Sequence, residues 1–554
     1  MTKKAVAMVD YIVVGGGSTG CVIASRLSEE KGTSVTLLEE GPRDRSPYIH
    51  IPGAYYKTAQ GPLLKRFPWV PTAEQGREAS PTMVQASVLG GGSSVNAMIY
   101  IRGVPSDYDQ WSSSGATGWG YKDVLPYFLR AEDNERFCNE NHGVGGPLGV
   151  SDVGHIHPLT KVWLKACQQA GLPYNEDFNS GDQAGCGLYQ ITARDGRRSS
   201  SAVAYLRPAE GRSNLIVRTG VRVTRILIEG GRAVGVEFVE NGQSRQLRAR
   251  REVILCAGAI NSPKLLMLSG IGPKQELEKH GIPVIANLEG VGQNLQDHIE
   301  ISLVYQLKGP HSYDKYKKLH WKMLAGLQYA LFKSGPAASN LIEGGAFWWG
   351  NQSERTPDIQ YFLVVGAGIE EGIDGVPGGN GCTVNLGQIR PRSRGYVALN
   401  SSDPLDVPLI CPNYFSDPYD LDAVVQGCSK AMDIMEQPAM SKYIERRFVP
   451  LQPILDKQAL RQFCQQEAHA ALHPAGTCRM GTDELAVVDP ELRVRGIDGL
   501  RVADASVMPV LISGNPNAVC IMIGEKASDL IRGIKISNAR NDAPDESDRA
   551  ISPA

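Results

Sequence analysis

The chain has 554 residues, of which 42% are hydrophobic and 21% charged, with 57 basic against 59 acidic side chains and a formal net charge of −2. That length exceeds what a single hydrophobic core organises, so two or more domains are expected. The balanced charge supplies no bulk field for a nucleic acid or a membrane and points to a small-molecule partner.

The opening residues MTKKAVAMVDYIVVGGG carry two lysines and a short apolar run, superficially a secretory leader. Asp10 interrupts the run and no small-residue cleavage site precedes the glycines, so it reads as a first buried strand. YIVV (11–14) has the β-branched, apolar character of a parallel strand covered on both faces. STGCVIASRLSEE then sets Cys21, Ala24 and Leu27 on a helical stripe, and SVTLLEE makes a second strand, which completes a βαβ unit.

The turn inside that unit reads Gly15-x-Gly17-x-x-Gly20. Its first glycine permits a tight turn, the second lets the backbone approach a pyrophosphate, and the third lets helix pack on strand. The diphosphate would then sit at the positive helix end. Glu39, at the carboxyl end of the second strand, can accept from a ribose hydroxyl and would repel a 2′-phosphate, which disfavours NADP. Strand before, helix after and acid at the right distance raise an otherwise weak motif to a dinucleotide site, the alternative being a glycine turn without a ligand. FAD and NAD both remain open on this motif.

From Pro42 to Gly120 the chain is rich in Gly, Pro and Ser and is expected to form loops wrapped over something. NLIVRTGVRVTRILIEGGRAVGVEFVE (214–240) reads as strands with a GG turn. In REVILCAGAINSPKLLMLSGIG (251–272), VILCAG is a buried strand and NSP opens a helix with Pro in its first turn. Residues 306–470 differ in composition, with AFWWG and strand candidates DIQYFLVVGAG and RGYVAL, and are expected to form a separate substrate-facing domain. In LRVADASVMP, Asp504 follows a buried strand. If that strand joins the first sheet, its carboxylate reaches a polyol such as a ribityl chain, which NAD lacks. The final stretch, SNARNDAPDESDRAISPA, is too polar to bury a core and is expected to be disordered. Eleven scattered cysteines without a C-x-x-C pair suit a reducing compartment, read as cytoplasmic. No run of about 18 apolar residues occurs, so no membrane span is expected.

VLGGGSSVNAMIYIRG (88–103), AGAINSPKLLMLSGIG (257–272), GVGQNLQDH (290–298), HPAGTCRMG (473–481) and the run from VVDPELRVRG to EKASDLI (487–531) together resemble the glucose-methanol-choline (GMC) oxidoreductase family, in that family's order and over nearly the whole chain except the tail. The resemblance implies an α/β and α+β protein: a Rossmann-like FAD-binding domain built from discontinuous segments, plus a substrate domain with a mostly antiparallel sheet covered by helices. It divides the chain into FAD-binding parts at 1–155 (with a flavin lid loop), 214–305 and 471–536, substrate-domain parts at 156–213 (mixed) and 306–470, and a tail at 537–554.

The same resemblance assigns Gly15, Gly17, Ser18, Thr19, Gly20 and Glu39 to the ADP half of FAD and Val223 to adenine. Val88, Gly90, Gly91, Ser94, Asn96, Ala97 and Met98 would run beside the isoalloxazine, and Ala257, Asp504, Ala505, Asn515, Pro516 and Asn517 would serve the ribityl and pyrimidine side. His473 matches the family's active-site histidine, and Asn515 stands where the family has a second histidine or an asparagine. Val95 stands where some relatives attach FAD through histidine, so the cofactor is expected to be non-covalent. Gln85-Ala86-Ser87 lacks the basic residue many relatives place there, and Ile389 replaces the cysteine needed for light-driven decarboxylation.

Oxidising a primary alcohol to an aldehyde requires removal of a hydroxyl proton and a hydride from one carbon. Flavin N5 takes the hydride, and His473, with an ordinary imidazole pKa near 6.5, can take the proton. Asn515 would hydrogen-bond the alcohol oxygen. Asparagine before Pro516 is also a good helix cap, and both roles are compatible. Beyond it, Val519, Met522, Ile523, Ala527, Leu530 and Ile531 form one core-facing stripe. His298 reads as structural, His155 and His157 lack further metal partners in sequence, and no metal is expected. Glu343 meets either substrate or solvent. Phe347, Trp348 and Trp349 line a pocket or pack a core. Oxygen or a quinone-like acceptor would reoxidise the flavin. A lyase of the hydroxynitrile type on the same fold is the rival function, and a flavin-binding protein without turnover the third.

Overall fold

The computed structural model describes residues 8–70, 82–369, 375–451, 454 and 456–534. The readings made for residues 1–7 and for the tail 537–554 lie outside them.

The first strand, Met8–Val14, is central in its sheet, buried from Tyr11 to Val14 and paired in parallel at both edges, to Val35–Glu39 on one side and to Gln243–Leu255 on the other. Leu215–Thr219 extends the sheet beyond Val35–Glu39. On the opposite side Gln243–Leu255 is shared. Its first half pairs antiparallel with Arg232–Glu240, followed outward by Val221–Glu229, and its last three residues pair parallel with Leu500–Val502. One sheet therefore collects strands from three separated stretches of chain, as expected for a discontinuous domain. Gly230 (φ +57°) and Gly231 (φ +78°) make the two-residue turn of its hairpin, a conformation for which glycine has no steric cost.

Helices Ser18–Leu27 and Asn517–Arg532 pack on each other beside this sheet. A Cβ at Gly524 would lie 2.8 Å from Val22 Cβ, so the backbones approach as only glycine allows. The contact is locked by Glu525, fully buried, which receives Arg26, Arg130 and the Tyr205 hydroxyl. Val519, Met522, Ile523 and Ala527 are buried as the stripe predicted.

Two local expectations need correction. The helix expected to open at NSP begins earlier, at Gly258, and runs to Leu268 with Pro263 inside it. Proline lacks the N–H that would bond the Ala259 carbonyl one turn back; Thr477 Oγ1 supplies that bond instead at 2.6 Å. The stretch 42–120, read as loops, also contains the hairpin Leu64–Pro68/Thr82–Ala86 and the helix Pro105–Ser113, begun by Pro in its first position and Asp107 in its first turn.

The second sheet is antiparallel, in the order Ile444–Val449, Ile299–Leu307, Gly381–Gln388, Ile359–Val364, Gly344–Trp348, Gly185–Leu188, with His469–Ala470 also pairing to Ile299–Glu300. Strand Ile299–Leu307 already belongs to it, so this sheet takes up the chain again at residue 299 rather than at 306. Helix Pro418–Glu436 packs against it. RGYVAL forms a strand, Gly395–Ala398, in a separate three-stranded sheet with Gln293–Leu295 and Leu409–Cys411.

Candidate active site

A cavity of about 1020 Å³ runs from the carboxyl ends of the parallel strands to the second sheet. That is at the upper end of the range for small-molecule sites, about 300–1,000 Å³.

At one end the wall is Gly15, Gly17, Ser18 and Thr19. Gly15 (φ +102°) makes the turn, and a Cβ there would meet the Cys256 carbonyl at 2.4 Å. A Cβ at Gly20 would stand 1.9 Å from the Gly15 carbonyl oxygen, so Gly20 serves helix-on-strand packing. Gly17 has nothing nearer than 3.8 Å and faces open space. It also precedes Ser18–Leu27 without a side-chain cap, which leaves that helix's first N–H groups for an anion. Glu39 accepts from Gly16 N and Gly41 N, both at 2.7 Å, and burial pushes its carboxyl up to about 7. The uncapped helix end, the free space at Gly17 and a carboxylate at the strand end fit the diphosphate and ribose of the FAD that the resemblance implies.

Further along, Gly91, Asn96, Ala97, Met98, Val223, Ala257, Asp504, Ala505, Asn515, Pro516 and Asn517 line the same cavity. Asp504 spends its oxygens on Gly258 N (2.8 Å), Ser262 Oγ (2.6 Å) and Ser506 N (2.8 Å), which fixes its orientation at the wall. The 96–98 edge is held rigidly. Asn96 Oδ1 accepts from Met98 N and Arg198, Asn340 donates to the Ala97 carbonyl, and Met98 sits at φ +64°.

Four assigned residues lie behind the wall. Gly20 packs as described. Val88 is fully buried in a small apolar cluster with Ile49, Leu64 and Val95. Gly90 donates to the Gly16 carbonyl, and Ser94 Oγ bonds the Leu89 carbonyl, both shaping the loop that carries Gly91.

At the other end of the cavity, His473 and Asn515 come together, Asn515 Nδ2 lying 3.3 Å from His473 Nε2. Asn515 does not cap the last helix, whose N-cap is Pro516. Its oxygen accepts from Gln360 Nε2 at 3.1 Å instead. His473 is placed by its backbone N–H, which donates to Asp297 Oδ1 at 2.7 Å, while Tyr414 donates to Asp297 Oδ2 at 2.6 Å.

The proton positions follow from the partners. His298 Nε2 lies 3.0 Å from the Ile512 carbonyl, which can only accept, so Nε2 carries hydrogen and Nδ1 keeps its lone pair. His298 Nδ1 therefore accepts from His473 Nδ1–H at 2.9 Å. His473 is left as the tautomer with its lone pair on Nε2, where it accepts from Asn515 Nδ2–H. Burial pushes its pKa down to about 4, and that of His298 further below the usual range, so both rings are neutral at pH 7. Burial raises Asp297 to about 7.

The substrate side of the cavity is one face of the antiparallel sheet. Glu300, Ser302 and Val304 alternate along Ile299–Leu307 and all face inward, joined by Asn385, Phe362 and Ile342. Glu343, by contrast, is wholly buried away from the cavity and is saturated by His157 N, Thr160, Ser339 and Tyr313. Phe347 packs in the core, Trp349 donates to the Glu354 carbonyl, and neither they nor Trp348 reach the cavity. His157 caps the helix Pro158–Gln169 through Nδ1.

A model of the GMC oxidoreductase family matches residues 9–300, and its C-terminal counterpart matches residues 391–524. The chain is a GMC oxidoreductase. It is 39% identical over 531 residues to an alcohol dehydrogenase [acceptor] of Pseudomonas putida, covering 95% of this chain and 96% of that one. It is 41% identical over 536 residues to human mitochondrial choline dehydrogenase, covering 94% and 89%. Among solved structures it is similar to pyridoxine 4-oxidase from Mesorbium loti, with TM-score 0.85, 29% identity and 95% and 100% coverage. A formate oxidase is similar at TM-score 0.90, 27% identity and 96% and 99% coverage. Nothing in these comparisons supports the lyase alternative.

In this GMC oxidoreductase, residue-level reasoning missed His298 as the partner of His473, Glu300 on the substrate wall, and Arg198. Arg198 is 1% exposed, has no carboxylate partner among the described residues, and donates through Nε and one terminal nitrogen to the Ile49 and Ser93 carbonyls and Asn96. Burial lowers its pKa to about 9. The signal for Glu300 was present: in HIEISLVY, a charged and a polar residue share one face of an otherwise apolar strand directly after the NLQDH motif.

Proposed function

We propose that this chain oxidises a primary alcohol to the aldehyde with non-covalent FAD, His473 Nε2 taking the hydroxyl proton. When bound, FAD supplies the hydride acceptor. The observation that carries this reading is the ordered pair of histidines. His298 receives the Nδ1–H of His473, so the opposite nitrogen is a neutral base beside Asn515. Proton uptake at His473 Nε2 turns the His473–His298 contact into a charge-assisted hydrogen bond, which favours the step in which the alkoxide forms. Asn515 Nδ2 donates one hydrogen to His473 Nε2 and has a second for the alcohol oxygen, which would come between them, its amide orientation set by Gln360.

Glu300 supports a substrate that carries a cationic or hydrogen-bond-donating group away from its hydroxyl. It is 8% exposed and faces the cavity, with His469 Nε2 at 3.7 Å. The apolar neighbours Val304, Ile342 and Phe362 suit the carbon skeleton between. All eleven cysteines are free thiols, which supports a reducing compartment such as the cytoplasm. Oxygen or a quinone-like molecule would take the electrons onward. The test is anaerobic mixing of the holoenzyme with choline, other amino alcohols, linear alkanols and aromatic alcohols. Bleaching of the yellow flavin by members of this panel is expected, and no bleaching by any of them would refute the proposal.

A further inference from the structure

The helix Leu319–Phe332 is turned inside out. Only Ala325 and Tyr329, one turn apart, are buried against the protein, with the Tyr329 hydroxyl donating to the Gly196 carbonyl at 2.9 Å. On the opposite side Leu319, Met323, Leu327 and Leu331 recur every fourth residue, with Leu324 beside them; these and Phe332 at the helix end are 57–72% exposed. Trp321 is 41% exposed at the flank. A contiguous apolar stripe on an exposed helix is what a binding surface looks like, since isolated exposed leucines do not align this way.

The charge around the stripe identifies the partner. Residues 315–333 read KYKKLHWKMLAGLQYALFK, with five lysines and no acidic residue. Lys317 is paired with the buried Asp314 at 2.6 Å. Among the described residues, Lys315, Lys318, Lys322 and Lys333 have no ion-pair partner. Apolar stripe, flanking lysines and a tryptophan at the boundary are the features of a helix lying in a lipid–water interface. A second copy fits less well, because a two-fold contact through this face would bring the two sets of lysines together.

We propose that Leu319–Phe332 docks this protein peripherally on an anionic lipid bilayer. The placement also concerns the site. The turn Pro336–Ala338 that follows the helix packs against Pro52–Ala54, and that segment leads directly into Tyr55 and Ala59, which line the cavity. Docking would set this wall of the cavity close to the headgroups.

The test is co-sedimentation of the FAD-loaded, full-length protein with vesicles of phosphatidylcholine alone or with about 30 mol% phosphatidylglycerol. Binding to the anionic vesicles alone, weakened by salt, is expected, together with at least a ten-fold loss of partitioning for Leu327→Glu/Leu331→Glu. Flavin content and turnover of a water-soluble alcohol should be unchanged in that variant, which separates this proposal from the assignment of the reaction. Quenching of tryptophan fluorescence by brominated lipid, lost in Trp321→Phe, gives a reading on the otherwise unaltered helix. No binding to anionic vesicles, equal binding by the double variant, or absence of quenching would overturn the proposal. So would a dimer in solution that the double variant converts to monomer without any vesicle binding, which would assign the face to a second copy.

Discussion

Replacing His298 by leucine tests the tautomer argument where it is most exposed. A neutral hydrogen bond contributes about 1 kcal/mol and one to a charged group about 1.5–3 kcal/mol. Proton arrival at His473 converts the 2.9 Å contact with His298 from the first kind to the second. About 1–2 kcal/mol of stabilisation specific to proton transfer is therefore lost in His298→Leu, roughly 5- to 30-fold in rate. A further loss follows because His473 can then exchange its tautomer and offer Nδ1–H or Nε2–H alike. His298→Gln, which keeps a donor and an acceptor on one side chain, should recover part of the rate. The assay is anaerobic stopped-flow reduction of the flavin at saturating alcohol, with FAD occupancy measured first by absorbance. A merely structural His298 would change occupancy or stability. The reasoning is refuted if His298→Leu, fully loaded with FAD, reduces at the wild-type rate.

Other predictions follow from the same geometry. Glu39 has a carboxyl raised to about 7, and only its ionised form accepts fully from ribose hydroxyls, so FAD affinity should fall as pH drops through 7. In Glu39→Gln the affinity should be weaker and independent of pH in that window; titration of the apoprotein with FAD measures both, and a flat wild-type curve would count against the ribose contact. His473, lowered to about 4, stays neutral as the solution is acidified. In FAD-saturated enzyme the His473 ring should therefore stay neutral from pH 8 to about pH 5.5, while Asp297 titrates at about 7; a ring titration followed by NMR with its midpoint near 6.5 would show an unperturbed imidazole. Glu300→Gln should raise KM for a cationic alcohol at least about ten-fold while altering that for an uncharged alkanol little, by analogy with a lost charged contact. Equal effects on both would remove Glu300 from substrate recognition.

The parts of this molecule legible in the sequence are those in which a short stretch carries its own physics. Gly15, Gly17 and Gly20 encode turn, open space and close packing, and each is found in that place. The stripe of the last helix likewise declared its buried face. What stayed hidden depends on pairing across long distances. His298 meets His473 because Ile299–Glu300 pairs with His469–Ala470, a register no local pattern announces. Asn515 had a plausible local role as a cap, and it yields that role to Pro516 because Gln360 and His473 claim its amide. Glu343 looked available for substrate in isolation, yet four neighbours from three segments saturate it. A net charge of −2 suggested no affinity for membranes, because a sum over the chain averages away five lysines around one exposed helix.

The central claim is that a neutral His473 receives the alcohol proton. It is tested most directly by single-turnover reduction of the flavin in His473→Ala at saturating alcohol and full FAD occupancy. The account predicts a rate lower by roughly 10² or more, the usual contribution of a positioned base. Reduction within a few-fold of the unaltered enzyme would contradict it.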